Sequence, residues 1–243
     1  MIGGGGVLAG AMAAGLAEAG ANIAVLDLNL EAAQARAAAI CSLGCKAIGV
    51  KVDATSKADL ERALAEINAK LGHVTILLNA AGVNSGTPFF EITEAEWHRL
   101  LDIDLKSVFL ACQVFGKAMV DAGRGGSIIN ISSASSGPPL SKVFTYGVAK
   151  AGVNQITQFL ARELAPHKIR VNAILPGFFP AEQNRKLLTA ERTASILNHT
   201  PMNRFGEACE LVGAAVYLAS ERAASFVTGS ILRVDGGFSA MTI

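Results

Sequence analysis

The sequence predicts a single-domain, doubly wound α/β fold on a parallel sheet, and three observations carry that expectation. Its 243 residues suit one large domain. Short apolar runs alternate with longer helical patterns, as consecutive strand–helix–strand units require. A glycine-rich turn over residues 3–10 opens an apolar helix, a device that brings backbone amides to a bound phosphate.

Along the chain, the strand candidates are residues 22–27 (NIAVLD), 47–52, 75–79 (TILLN), 127–131 (SIINI), 169–174 (IRVNAI) and 231–234 (ILRV). All are near-continuous apolar runs, the pattern of strands covered on both faces. Helical period and breakers mark 7–19, 29–43, 56–71, 93–121, 143–165, 182–198 and 207–220. Thr93-Glu94-Ala95-Glu96 reads as a capping box that starts the fourth helix. No linker, repeat or low-complexity tract interrupts the pattern, so one domain is expected over 1–243. The first strand is the exception. Only Met1 and Ile2 precede the glycines, so this strand is expected to be truncated and the start internal to a longer protein. In a dinucleotide-type fold it runs centrally in the sheet, and its neighbours would keep unpaired groups costing about 1–3 kcal/mol each. A low melting point for residues 1–243 follows.

Composition excludes several classes. Twenty-one Lys plus Arg against 20 Asp plus Glu leave a net charge of +1, without the basic footprint of a nucleic-acid binder. Mean hydropathy is high at +0.40, yet no charge-free apolar run reaches about 18 residues, so no transmembrane span is predicted. No positive segment precedes the uncharged N-terminal stretch, which argues against a secretory signal and for the cytoplasm. Cys41, Cys45, Cys112 and Cys209 are too few for a disulfide framework, and the four histidines lack ligand spacing, so reduced thiols and no metal are expected.

Two constellations carry chemistry. In the first, Gly3, Gly4 and Gly6 with Val7 and Leu8 lead into the first helix, and Asp27 closes the next strand. Glycines permit close approach to a pyrophosphate, and a strand-end acid accepts from an adenosine ribose hydroxyl. An Asp there suits NAD over NADP, because it would face a 2′-phosphate with no Arg or Lys before Arg36. The alternative is a loose N-terminal tail with Asp27 as a turn residue. In the second, Tyr146 and Lys150 stand at i and i+4, on one face of a helix. A cation one turn away favours the phenolate, which equips the phenol as a general acid or base. Ser133 follows the strand SIINI, where its hydroxyl can steady a substrate oxygen.

These residues, with Asp53-Ala54, Asn79-Ala80-Ala81-Gly82, Asn172, Pro176-Gly177 and Val234-Asp235-Gly236-Gly237, make the chain resemble the short-chain dehydrogenase/reductase family over nearly its whole length. The resemblance implies a Rossmann-like fold and an NAD(P)-dependent interconversion of secondary alcohol and ketone. By the same resemblance, Tyr146 exchanges the proton, Lys150 activates it and holds the nicotinamide ribose, and Ser133 steadies the reacting oxygen. Asp27 binds the adenosine ribose, Asp53 and Ala54 contact adenine, and Asn79, Ala80, Ala81 and Gly82 support the cofactor. Pro176 and Gly177 join that set, and a homotetramer is implied.

The chain departs from the family pattern at several points. Ile2 replaces a Thr, Val7 and Ala9 replace glycines, and Val7 is expected to crowd the phosphate side. Asp104 stands where a catalytic-site Asn is usual and joins the expected catalytic set; it accepts hydrogen bonds but cannot donate as an amide does, and its negative charge would hold Lys150 more firmly protonated. Ala181 takes the place of a cofactor-touching Thr. Within the family, the runs PGFFPAEQNR, TPMNRFGE and VDGGFSAMTI are most similar to D-mannonate oxidoreductases and related sugar-acid reductases. The expected substrate residues are Ser135, Phe178, Gln183 and Arg185, with Arg185 as a bidentate carboxylate clamp or, alternatively, part of a solvated helix face. Reduction of a 3-oxoacyl or other hydrophobic ketone is the competing activity, and a cofactor-binding homologue without turnover is the competing class. Trp97, Phe109, Phe115 and Tyr217 are expected in core or subunit packing, and Cys112 as an inert buried thiol.

Overall fold

The computed structural model describes residues 1–180 and 188–241. Six parallel strands form its sheet: β1 (Ile23–Asp27), β2 (Ala47–Lys51), β3 (Ile76–Asn79), β4 (Gly126–Ile131), β5 (Ile169–Pro176) and β6 (Ile231–Val234). They fall into two blocks, β2–β1 and β3–β4–β5–β6. Ile2 bridges them, pairing in parallel with Leu26 of β1 and with Asn79 of β3. Met1 and Ile2 thus hold the central position expected of the first strand. Ile2 is 2% exposed.

The helices are α1 (Val7–Glu18), α2 (Leu30–Cys41), α3 (Lys57–Leu71), α4 (Glu94–Leu101), α5 (Ser107–Ala122), α6 (Phe144–Leu164), α7 (Ala190–Asn198), α8 (Val212–Ala219) and the short α9 (Glu221–Ala224). Successive strand residues point to opposite faces, and each face has its own core. Leu77, Ile128 and Val171 pack with Leu60 and Ile67 of α3, Phe115 and Met119 of α5, and Val153 of α6. Leu78, Ile129 and Ile174 pack with Met12 and Leu16 of α1, Ile40 of α2, and Leu218 of α8. Helices on both faces explain why the strands read as unbroken apolar runs.

Element ends follow local chemistry. Asn29, Ser56, Thr93 and Thr189 each accept a backbone N–H at the start of a helix. The expected capping box is only half made, because the Glu96 carboxylate accepts from Thr87 Oγ1 at 3.0 Å instead. The helix expected over 93–121 is interrupted by a π turn at Asp102–Lys106, which no Gly or Pro in the sequence signals. The helix expected over 207–220 divides into a 3₁₀ turn (Ala208–Leu211) and α8. Of the 182–198 helix, α7 is seen and residues 181–187 lie outside the described residues.

Candidate active site

The predicted residues converge on the C-terminal ends of the strands, where open α/β sheets bind ligands. A cleft of about 560 Å³ is lined by Gly3, Gly6, Val7, Leu8, Asp27, Asp53, Ala54, Ala80, Ala81, Gly82, Tyr146 and Lys150. Thr55, Ile103, Ser107 and Ile131 also line it; sequence reasoning missed these four, since nothing local distinguishes them from packing residues.

The glycine turn is shaped by contact as well as by flexibility. Gly3 has φ +70°, and a Cβ there would stand 2.7 Å from the Ala81 backbone, so a side chain would part the turn from β3. No side chain caps α1, which leaves first-turn amides for an anion. Val7 is the first residue of α1, 54% exposed and part of the cleft wall. Asp27 is held by two backbone amides: Gly5 N–H donates to Oδ2 and Asn29 N–H to Oδ1, both at 3.0 Å. A carboxylate has about four acceptor sites, so two remain for hydroxyls. Arg36 turns to α1 instead, where its guanidinium covers Gly10. The uncapped helix, the close glycines and the fixed acid fit a dinucleotide.

The reacting end is built by α6 and the π turn. Lys150 Nζ lies 5.5 Å from the Tyr146 ring centre, so the pair shares one face as its spacing predicted. Lys150 is 3% exposed; Nζ donates to Ile131 O at 3.1 Å and stands 3.5 Å from Asp104 Oδ1. The wide turn brings Asp104 into the core, where Val83 N–H bonds both its oxygens at 3.2 Å. Burial pushes the Asp104 carboxyl up from its usual range, while Lys150 and the Val83 N–H act in the opposite direction. Gly82 leaves room for the pair, since a Cβ there would meet Asp104 Oδ1 at 2.6 Å. Ser133 caps the 3₁₀ turn after β4, its Oγ accepting from Ser135 N at 3.1 Å. At Gly147, beside Tyr146, α6 approaches this turn so closely that a Cβ would lie 2.9 Å from Ser135 O.

A second cavity, of about 510 Å³, has Gly147, the residue after Tyr146, in its wall. Gly147, Ser135, Thr87, Phe89, Lys142 and Phe144 line it. Thus Tyr146 lines the cleft while the next residue lines the second cavity.

Other predicted residues lie elsewhere. Gly4 packs on β1, where a Cβ would meet Val25 at 2.8 Å. Asn79 is buried and donates to Asn130 Oδ1 at 2.8 Å. Pro176 ends β5, and Gly177 closes against the Asp235 backbone. These four are outside the cleft lining because they tie strands to their neighbours. Phe178 lines a separate cavity with Met202, Arg204 and Arg233. Gln183 and Arg185 lie outside the described residues, as does Ala181. Phe115 is buried, Phe109 and Tyr217 are exposed, and Trp97 stacks 6.3 Å from Phe144. Cys112 is buried and its thiol is pushed up to about 12.

Comparison with known proteins agrees with this geometry. A family model described as enoyl-(acyl carrier protein) reductase matches residues 6–239. A structure from Burkholderia cenocepacia, a gluconate 5-dehydrogenase in complex with NADP and tartrate, superposes with a TM-score of 0.94 at 33% identity, covering 99% of this chain and 94% of that one. The chain belongs to the short-chain dehydrogenase/reductase family. As a member, it is an oxidoreductase acting on CH–OH groups. A Haemophilus influenzae structure with bound NAD, assigned as a D-mannonate oxidoreductase, is 37% identical with a TM-score of 0.93, covering 99% and 94% of the two chains. The 5-keto-D-gluconate 5-reductase of Escherichia coli K12 is 35% identical over 227 residues, 93% of this chain and 89% of the relative. Among the described residues, no helix is long and apolar enough to cross a membrane.

Proposed function

We propose that the chain, as one nucleotide-binding and catalytic unit over residues 1–243, is an NAD-dependent oxidoreductase interconverting the secondary alcohol and ketone of a sugar acid, D-mannonate and D-fructuronate being the model pair. The observation that carries this is Tyr146 in the wall of a cleft that also holds the glycine turn and Asp27, with the buried Lys150 ammonium 5.5 Å from its ring centre. The names of the similar proteins support the substrate class.

When bound, the nicotinamide supplies or takes up the hydride. Tyr146 delivers the proton to the substrate oxygen or removes it. Lys150 favours the phenolate by its charge and binds the nicotinamide ribose. Asp104 and Ile131 O fix its ammonium, and Ser133 donates to the reacting oxygen. Asp27 takes the adenosine ribose hydroxyls, Asp53 and Ala54 border the adenine, and the Ala80–Gly82 backbone supports the dinucleotide from β3. Asp27 also supports NAD over NADP, because among the described residues Lys150 is the cation in the cleft lining.

For the substrate carboxylate, Arg185 retains its proposed role as clamp, and Lys142 adds a second cation on the wall of the Ser135 cavity. Replacing Lys142 with Met should raise KM for a hexonate about tenfold while leaving kcat and the KM of an uncharged polyol nearly unchanged; equal effects on both substrates would contradict this role. The apolar share of that wall, Pro88, Phe89, Leu140 and Phe144, favours the second reading, a 3-oxoacyl or similar hydrophobic ketone. NADH oxidation over a panel of keto-sugar acids and 3-oxoacyl thioesters decides between them.

Two assembly features belong to the same reading. A groove of Leu101, Leu105, Phe109, Gly152 and Ile156 supports the expected homotetramer through α5 and α6. All four cysteines are free, which supports a reducing, cytoplasmic setting.

A further inference from the structure

Asn154 lies one turn beyond Lys150 on α6, and its spacing from Gly147 and Lys150 puts all three on one face of the helix. Its Nδ2 donates to Ser136 Oγ at 2.9 Å, reaching across to the 3₁₀ turn Ala134–Ser136 that Ser133 caps. Its Oδ1 is shielded from solvent and has no partner among the described residues. We propose that Asn154, acting through Ser136, is a positioning residue that fixes Ser133 relative to Tyr146 for proton transfer, an inference that rests on the donor role given to Ser133 above.

The hydrogen bonds of the turn carry this role. Ser136 Oγ donates to Ser133 O at 2.7 Å and accepts from Ser132 Oγ at 3.2 Å as well as from Asn154. A hydroxyl has one proton and two acceptor sites, so Ser136 is saturated and its proton is committed to the Ser133 carbonyl. A donor such as the Asn154 amide suits that position, whereas an acceptor there would draw the Ser136 proton away. On its other side, Ser133 Oγ accepts from Ser135 N–H at 3.1 Å and bonds Ser135 Oγ at 3.2 Å. Separate neighbours thus set the hydroxyl and the backbone of Ser133, and the chain to Asn154 sets the backbone.

The anchor of that chain is the helix that carries the phenol. α6 meets the turn at Gly147, where a Cβ would stand 2.9 Å from Ser135 O, and meets it again two turns on at Asn154. Ser132 Oγ adds a longer contact of 3.5 Å to Lys150 O. Any shift of α6 therefore carries Tyr146, Lys150 and the Ser133 turn together. A buried polar atom without a partner costs stability, and an apolar side chain at 154 would escape that cost at Oδ1. The bond to Ser136 accounts for an amide of which half is used. Misplacing reacting groups by about 1 Å costs on the order of 100-fold in rate, so a loosened Ser133 registers in turnover.

The test measures kcat, ketone KM and NADH affinity in Asn154→Leu, Ser136→Ala, their double variant and Ser133→Ala, and in Asn154→Leu combined with Ser133→Ala. The ketone is D-fructuronate or, failing that, the fastest of the panel above. Each of the Asn154 and Ser136 single variants should lose about tenfold in kcat, with KM within about threefold and NADH affinity within about twofold. The double variant should lose no more than either single one, and the Asn154→Leu loss should shrink to under about twofold once Ser133 is replaced. Asn154→Leu removes the donor and the orphan oxygen together, so it should melt near the wild-type temperature. If it is insoluble, Ser136→Ala with and without Ser133→Ala makes the same comparison. Wild-type kcat in the single variants, losses that multiply in the double variant, or an undiminished loss in the Ser133→Ala background would overturn the proposal and leave the catalytic reading standing. Unimpaired turnover in Ser133→Ala, or no turnover of the whole panel by the wild type, would overturn that reading and the positioning role with it.

Discussion

Asp104 is the residue at which this site differs most from the amide usual in its family. It is fully buried, its oxygens are taken by Val83 N–H, and it faces the Lys150 ammonium. Removing one partner of a buried ion pair leaves the other charge uncompensated, so Asp104→Ala should destabilise the fold by about 3–5 kcal/mol, measured by urea unfolding. Asp104→Asn keeps an acceptor for Val83 N–H and deletes the negative charge. The Lys150 ammonium then loses the carboxylate that faces it, and the pH–rate profile for alcohol oxidation should change. An unchanged profile would remove Asp104 from the proton chemistry. The family resemblance set the Asp104 charge against Lys150; local pattern alone did not, because the contact depends on a π turn between α4 and α5. By contrast, the Tyr146–Lys150 pair was legible at once: helical spacing alone puts i and i+4 on one face. Asp27 was legible as well, and Asp27→Ala should weaken NADH binding about tenfold with a smaller effect on NADPH, as fluorescence titration would show.

At the scale of elements, strand and helix identities followed from apolar runs and caps, and most boundaries fall within a residue or two of those expected. The departures share one physical cause, tertiary contact overriding local pattern. The π turn is seated where α6 approaches Leu105 across Gly152. The Glu96 carboxylate leaves its capping role for Thr87. The Met1 amine has its own titration signature. Burial pushes the Met1 amine from 8.0 down to about 5. A base with a depressed folded value binds fewer protons than the unfolded chain between these limits, so stability should rise as pH increases from about 5 to about 8 and then level off. The other titratable group lining the cavity beside Met1 is His73. In the His73→Gln variant the rise should persist, and N-terminal acetylation should abolish it; a flat stability curve for the unmodified variant over this range would contradict the burial of the amine.

For the whole molecule, the arrangement explains why chemistry collects at one edge of the sheet. Parallel strands end together, so Asp27, Asp53 and Gly82, distant in sequence, border one cleft, and α6 brings Tyr146 and Lys150 into its wall. This convergence was predictable from the fold class, whereas the cavity beside Gly147 was not, since Thr87, Phe89, Lys142 and Phe144 come from loops and helix starts with no shared sequence signal. The account rests on a single proton-transferring phenol between nucleotide and substrate. The most direct test is paired measurement of NADH binding and NADH oxidation with D-fructuronate in the wild-type chain and in Tyr146→Phe. The account predicts NADH affinity within about twofold and turnover reduced at least about 100-fold; turnover above a tenth of the wild-type rate with binding intact would contradict it.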